Sequence, residues 1–319
     1  MNTPIVIASG NGLQAARHAY GEMISGADPL DAAVSGVNLV ELDPNDHTVG
    51  YGGLPNRDGV IQLDAAVMHG PLAKAGAVGA LEGVKLASSV ARLVMLKTDH
   101  VMLAGDGARR FAQEQGFVEE NLLSEFSRKV WMHWREIRKK KSSRPSLENL
   151  DPDVRKFVEE HPTWFVHTGT VHLSVRNASG DLACCTSTSG LPFRLSGRIA
   201  DSALVGAGLY CDNHVGSAGC TGRGEAAILS NASAAAVEIM RRGVSPLDSA
   251  MKVLERVVDL NRDPRWRDIS GRPTFNLAVY ALNKAGECAS AAVWNGGTFA
   301  VADQNGARLE NQAFLYRRE

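Results

Sequence analysis

The chain has 319 residues, 44% hydrophobic and 22% charged, with a formal net charge of -1. That is the mix of a globular protein with a substantial apolar core, not of a disordered one. The near-neutral balance excludes a global field that would draw the chain to nucleic acid or to anionic lipid, and no apolar run reaches transmembrane length. A small molecule is the expected partner, with no nucleic acid and no membrane.

Met1 to Ser9 lacks the basic stretch and long apolar segment of a secretory signal, so the chain as written is expected to be cytoplasmic. A periplasmic or secreted location would require an export signal already removed. Ile5 to Ala8 reads as a strand that ends at Ser9-Gly10-Asn11-Gly12, and Leu13 to Met23 has helical spacing. In "DPLDAAVSGVNLVELD", Asp28 is an N-cap, Pro29 suits the first helical position and Asp31 adds negative charge to the first turn. "SPLDSAMKVLERVVDL" repeats that grammar, with Ser245, Pro246 and an S-x-x-D capping box closed by Asp248. The two helices fit a fold with two similar halves.

Gly59 to Ala66 is a predicted strand, Ser88 to Thr98 a predicted helix, and a further helix is expected around Arg109. From Asn121 to about Glu160 the texture changes. A cationic block from Arg135 to Arg144, two prolines and little apolar periodicity after Trp134 predict an exposed linker, in preference to a nucleic-acid patch. Beyond it, "TVHLSVR" and "LACCTST" alternate as strands paired about the turn Asn177 to Asp181. Helices are expected from about Ala232 and Ser245, and "FNLAVYALN", "GECASAAVW" and "FAVADQN" close the chain as strands. Antiparallel sheets covered by helices, an α+β class, summarise this order.

Five cysteines are an odd number, and adjacent Cys184 and Cys185 on a strand point to opposite faces, so buried reduced thiols are expected rather than a disulfide framework. No complete dinucleotide or phosphate loop, H-E-x-x-H or G-x-S-x-G is present. His161, His167 and His172 are loosely spaced and expected to face solvent or turns, and no metal site is predicted.

What remains is the polar block from Gly169 to Glu225. A hydroxyl nucleophile needs a base, and an N-terminal Thr supplies one through its own α-amine once the preceding peptide bond is cut. Gly169-Thr170 at a strand entry suits that chemistry, because glycine permits the backbone geometry that exposes its carbonyl to the neighbouring Oγ. On composition alone, a Thr that simply opens a strand is the competing reading.

"GTV" at 169 to 171, "TST" at 186 to 188, "GR-x2-DS" at 197 to 202, "GAGLYCDN" at 206 to 213 and "TGRGE" at 221 to 225 together resemble the N-terminal-nucleophile amidohydrolases of the glycosylasparaginase and plant-type asparaginase family. "HTVGYGGLPNRDGVIQLDAAVMHG", residues 47 to 70, resembles the glycosylasparaginase branch. The resemblance covers nearly the whole chain. It implies a four-layer αββα sandwich in one domain, residues 1–319, processed between Gly169 and Thr170 into an α subunit of 1–169, with a linker tail at about 135–165, and a β subunit of 170–319.

By the same resemblance Thr170 is the nucleophile, Thr188 assists self-cleavage and catalysis, Arg198 grips the substrate α-carboxylate and Asp201 binds its α-ammonium. Thr221 and Gly222 form the oxyanion hole, and Thr186 is left as packing. A mutual salt bridge is the structural alternative for Arg198 and Asp201. No metal or organic cofactor is implied, the substrate is a small asparagine-derived molecule, and a dimer of cleaved protomers, (αβ)2, is expected. Two departures bear on substrate choice. Gly169 stands where glycosylasparaginases carry Asp, and Ser9-Gly10-Asn11-Gly12 stands where they place a tryptophan. N4-(β-N-acetylglucosaminyl)-L-asparagine is the first expectation, β-aspartyl peptides or asparagine the second, and an uncleaved binding protein the reading of a different class.

Overall fold

The computed structural model describes residues 3–139, 150–160 and 169–318. Strand β1 (Ile5–Ser9) ends in the turn Gly10–Gly12 and leads into helix α1 (Leu13–Ile24). Helix α2 (Pro29–Glu41) starts as its sequence predicts, with the Asp28 carboxylate accepting from the Leu30 and Asp31 N–H groups at 2.8 and 3.4 Å. The strand expected at 59 to 66 begins later, as β2 (Leu63–His69), paired with β3 (Lys74–Leu81). The delay has a local cause: the Asn56 side chain accepts from the Asp58 and Val60 N–H groups, and Gly59 takes φ +87°, which closes a turn there. Helix α3 (Ala87–Lys97), strand β4 (Met102–Ala104) and helix α4 (Gly105–Glu114) follow.

The expectation of an exposed linker from Asn121 to Glu160 is wrong for the described residues. They form helices α5 (Glu125–Lys139) and α6 (Pro152–Glu160), which share a small apolar cluster of Val130, Val154, Phe157, Leu54 and Phe193. Phe126, Val130 and Trp134 recur at four-residue intervals on one face of α5, and the dense charge lies on the other faces, where it masks the pattern. Arg135 and Arg138 lie over the rings of Trp131 and Trp134 at 4.6 and 5.3 Å, so part of the cationic block packs on its own helix. Residues 140–144 of that block, and His161 and His167, lie outside the described residues.

The remaining strands are β5 (Val171–Arg176), β6 (Leu182–Thr188), β7 (Leu209–Asp212), β8 (Gly216–Gly222), β9 (Leu277–Asn283), β10 (Cys288–Trp294), β11 (Thr298–Asp303), β12 (Gly306–Asn311) and β13 (Ala313–Tyr316). Between them run helices α7 (Gly224–Ser230), α8 (Ala232–Arg241) and α9 (Pro246–Leu260). The predicted capping box opens α9: Ser245 Oγ accepts from Asp248 N–H at 3.1 Å and donates to the Asp248 carboxylate at 2.8 Å.

Among the described residues the protein is thus mixed α+β, with two sheets. The eight-stranded sheet has the order β12-β11-β1-β5-β6-β2-β3-β4, and the five-stranded sheet the order β13-β10-β9-β8-β7. Strand alternation sorts the apolar residues into separate clusters. Val6, Ala8, Leu173, Val175 and Cys185 of the large sheet pack with α1, α2 and α3 residues such as Ala16, Val37 and Val90. Ile7, Leu182 and Cys184, on the other face, pack with Leu209, Leu282 and Ala292 of the small sheet. The far face of the small sheet packs Val279 and Val293 against Val237, Val253 and Val257 of α8 and α9. All five cysteines are free thiols, and Cys184 and Cys185 face opposite ways as expected. The two similarly capped helices, α2 and α9, pack on different sheets.

Candidate active site

Thr170 immediately precedes β5, a strand in the interior of the large sheet held between β1 and β6, and is only 7% exposed. Pairing of Val171 with Ser187 brings the end of β6 beside it. There the Thr188 hydroxyl donates to the Gly169 carbonyl oxygen at 2.7 Å and accepts from Gly190 N–H at 3.0 Å. A donor on the carbonyl of residue 169 draws electron density from the carbon that a Thr170 Oγ would attack.

The other side of Gly169 is filled by the loop that begins at His47. A Cβ at position 169 would lie 2.0 Å from Thr48 Oγ1, so glycine is demanded there and an aspartate has no room. Thr48 is in turn fixed by Asp46, which accepts from its N–H at 3.0 Å and its hydroxyl at 2.5 Å. Asn11 Nδ2 donates to the same Asp46 carboxylate at 2.8 Å, and Ser9 Oγ donates to Asn11 at 2.7 Å. The Ser9-Gly10-Asn11-Gly12 turn therefore braces this loop. Helices α5 and α6 brace it too, since Ser127 Oγ donates to the Gly52 carbonyl at 2.6 Å and His47 stacks on Phe126 with ring centroids 4.2 Å apart. The described part of the segment expected to be an exposed linker is docked on the loop that packs against Gly169.

The second sheet reaches the same place by register. Ser174 and Ser217 share a hydrogen bond of 2.7 Å across the sheets, and the His172 ring lies over Gly219, where a Cβ would come 2.1 Å from ring carbon Cε1. Each step of two residues along β5 matches a step of two back along β8, an order that, continued by one step, would set Thr221 towards Thr170. Gly222 has φ +112°, and a Cβ there would lie 2.5 Å from the Asn276 carbonyl oxygen. Thr221 Oγ1 pairs with the Tyr280 hydroxyl at 2.9 Å.

His172 corrects the expectation of a solvent-facing side chain. It is fully buried between the sheets, with Nδ1 2.7 Å from Thr186 Oγ1 and Nε2 2.9 Å from Ser174 Oγ. Burial among neutral hydroxyls pushes its pKa down to about 3, so the ring is neutral. Thr186, expected only to pack, is one of its two hydrogen-bond partners.

The charged part of the site sits on the loop after β6. Buried Asp64 on β2 anchors it, accepting from Ala80 and Ala200 N–H at 2.8 and 3.1 Å and pairing with Arg194 at 3.0 Å. Arg198 does not bridge to Asp201, as the structural alternative required. Its Nε and Nη2 donate to Glu225 Oε1 at 3.1 and 2.9 Å. Asp201 is 4% exposed, and burial raises its pKa to about 7 although Arg198 opposes the rise. A Cβ on Gly224 would lie 2.6 Å from Asp201 Oδ1 and 2.9 Å from Arg198 Nη2, which places that backbone between the two side chains. A guanidinium and a buried carboxylate at one spot suit the two charged ends of an amino acid.

Sequence reasoning missed Asp46, Thr48, His172, Glu225 and Tyr280. Thr48 and Glu225 stand inside quoted motifs and carried a signal; the others acquire their roles through contacts distant along the chain.

The asparaginase family matches residues 8–263. Over 99% of its length the chain is 39% identical to the N(4)-(Beta-N-acetylglucosaminyl)-L-asparaginase of Elizabethkingia miricola, covering 86% of that protein. It is 34% identical to the mouse enzyme of the same name and 35% to the rat one, in each case over 80% of this chain and 77% of the relative. The chain belongs to the asparaginase family, among relatives that carry the glycosylasparaginase name.

Proposed function

We propose that this protein cuts itself between Gly169 and Thr170 and then, as a threonine amidohydrolase, cleaves the side-chain amide of N4-(β-N-acetylglucosaminyl)-L-asparagine to release aspartate. The observation that carries the reading is the hydrogen bond from Thr188 to the Gly169 carbonyl, one residue before a buried threonine at the head of β5. The names of the relatives point to the substrate. In self-cleavage Thr170 Oγ adds to the Gly169 carbonyl carbon, the C–N bond breaks, and the hydroxyl proton passes to the departing nitrogen. Water then hydrolyses the resulting ester, leaving a Gly169 carboxylate and a free Thr170 amine.

That amine serves as base for the second reaction. Thr170 Oγ attacks the substrate side-chain carbonyl, Thr221 and Gly222 stabilise the developing oxyanion, and the glycosylamine leaves with a proton. Water releases aspartate from the acyl-enzyme. Arg198 and Asp201 hold the α-carboxylate and α-ammonium throughout, and Thr188 remains beside the nucleophile. The three apolar clusters, one on each outer sheet face and one between the sheets, support a four-layer αββα sandwich for the single domain. The family resemblance further suggests an (αβ)2 dimer of cleaved protomers.

A second substrate reading, β-aspartyl peptides or asparagine, is favoured by one observation. The Ser9–Asn11 turn presents a polar hydrogen-bonded pair tied to Asp46 rather than an aromatic ring. Product release from glycosylasparagine and from an isoaspartyl dipeptide, measured side by side on cleaved protein, separates them. Faster aspartate release from the glycosylated substrate is expected; faster release from the dipeptide would replace the first reading by the second, and release from neither would refute both.

A further inference from the structure

Tyr280, on β9, is 3% exposed and presents its hydroxyl to Thr221 Oγ1 at 2.9 Å. Its ring rests against that of His172, with centroids 5.8 Å apart and planes 25° apart, and His172 is itself pinned through both nitrogens. Behind the phenol lies Gln312, whose amide orientation is set by its neighbours. Ser290 donates its hydroxyl proton to the Val279 carbonyl and so accepts from Gln312 Nε2 at 2.8 Å. Gln312 Oε1 occupies the space that a Cβ on Gly297 would fill. The amide nitrogen therefore faces Ser290.

We propose that Tyr280 is a positioning residue for the oxyanion hole: its phenol donates to Thr221 Oγ1, which leaves the Thr221 proton to point at the carbonyl oxygen attacked by Thr170. The direction follows from chemistry. A phenol is a stronger acid than an alcohol, hence the better donor and the poorer acceptor of the pair. With Tyr280 as donor, the pair Tyr280 O–H to Thr221 O–H runs one way and leaves the Thr221 proton free. Burial raises the phenol pKa to about 12, still below that of an alcohol, so Tyr280 keeps its proton to donate across the working pH range. Without Tyr280, the Thr221 hydroxyl rotates freely and its proton must be reoriented as negative charge develops, a reorganisation that a preset donor avoids.

The inference rests on the amidohydrolase reading and is tested on cleaved protein, verified by intact mass. Tyr280→Phe keeps the ring against His172 and removes only the hydroxyl. A fall in kcat of tenfold or more is expected, with KM within twofold of wild type. In a Thr221→Ala background the same change is expected to have no further effect, because the hydroxyl it orients is gone. Tyr280→Met provides a second variant should Tyr280→Phe not fold: a loss of kcat of tenfold or more, again absent in the Thr221→Ala background, is expected.

Wild-type kcat in Tyr280→Phe, or an undiminished loss in the Thr221→Ala background, would overturn the proposal while leaving the proposed function intact. A wild-type protein that hydrolyses no side-chain amide refutes the function, and the role of Tyr280 with it.

Discussion

The two ends of the candidate site are built from different materials. At the nucleophile end Thr170, Thr188 and Thr221 are neutral hydroxyls mounted on or beside regular strands, and glycines at 169, 219 and 222 permit their close approach. At the recognition end Arg198, Asp201 and Glu225 are charged groups on a loop and a helix start, anchored through the buried Asp64–Arg194 pair. On the proposed function, sheet register would hold the reacting atoms to the tolerance that bond formation needs, while a loop of paired charges would read the ends of an amino acid. Changes at the first end should lower kcat and changes at the second should raise KM, and that split is the property to attack.

The largest effect is expected from Thr188→Val, which keeps shape but removes the donor on the Gly169 carbonyl. Self-cleavage should slow by about 10²- to 10³-fold, as for loss of one oxyanion donor, in a time course of precursor followed by mass. Arg198→Lys keeps the charge but loses the planar fork. KM should rise about 10- to 100-fold, equivalent to roughly 1.5–3 kcal/mol for a charge-assisted pair, with kcat nearly preserved, in steady-state kinetics. A large fall in kcat at constant KM would erase the distinction between the two ends.

Asp201 makes the recognition end dependent on pH. Its folded pKa, raised to about 7, means that the empty protein holds a proton there which the unfolded chain would release near 3.8. The associated stability is fully present below about 3.8 and is lost as pH rises through 7. An ammonium ligand requires the ionised form, so inhibition by L-aspartate should weaken by up to about tenfold for each pH unit below 7. Asp201→Asn should flatten that dependence and bind aspartate weakly at every pH.

The smallest effect concerns stability at the nucleophile end. His172 has a folded pKa depressed to about 3 from 6.5, so its contribution is complete above about 6.5 and is lost as pH falls towards 3. In that window stability should fall by about 1.4 kcal/mol per pH unit from this group alone. His172→Gln should show a shallower decline of the urea midpoint with acid; an identical decline would mean that the ring is not buried neutral.

The sequence made much of this legible where the signal is local. The α2 and α9 caps, the β5–β6 hairpin and the opposite facing of Cys184 and Cys185 follow from spacing and turn chemistry over a few residues. Thr170, Thr188, Arg198, Asp201, Thr221 and Gly222 could be marked because each sits in a compact motif. Helices α5 and α6 were hidden because their apolar face is narrow and surrounded by charge. His172 and Tyr280 were hidden for another reason: their roles depend on β5 crossing β8 and β9, a register between sheets that no short window of sequence contains. The meaning of Gly169 was divided in the same way. Its place before Thr170 is visible in the sequence, but the reason it excludes aspartate is Thr48, far earlier in the chain.

Intact mass, followed over time for wild type and for Thr170→Ala, tests the central claim most directly. Wild type should resolve into residues 1–169 and 170–319, with side-chain amide hydrolysis appearing in step, while Thr170→Ala should persist at full length and remain inactive. A wild-type chain that stays whole while it hydrolyses the amide, or a Thr170→Ala chain cut at the same junction, would contradict the account.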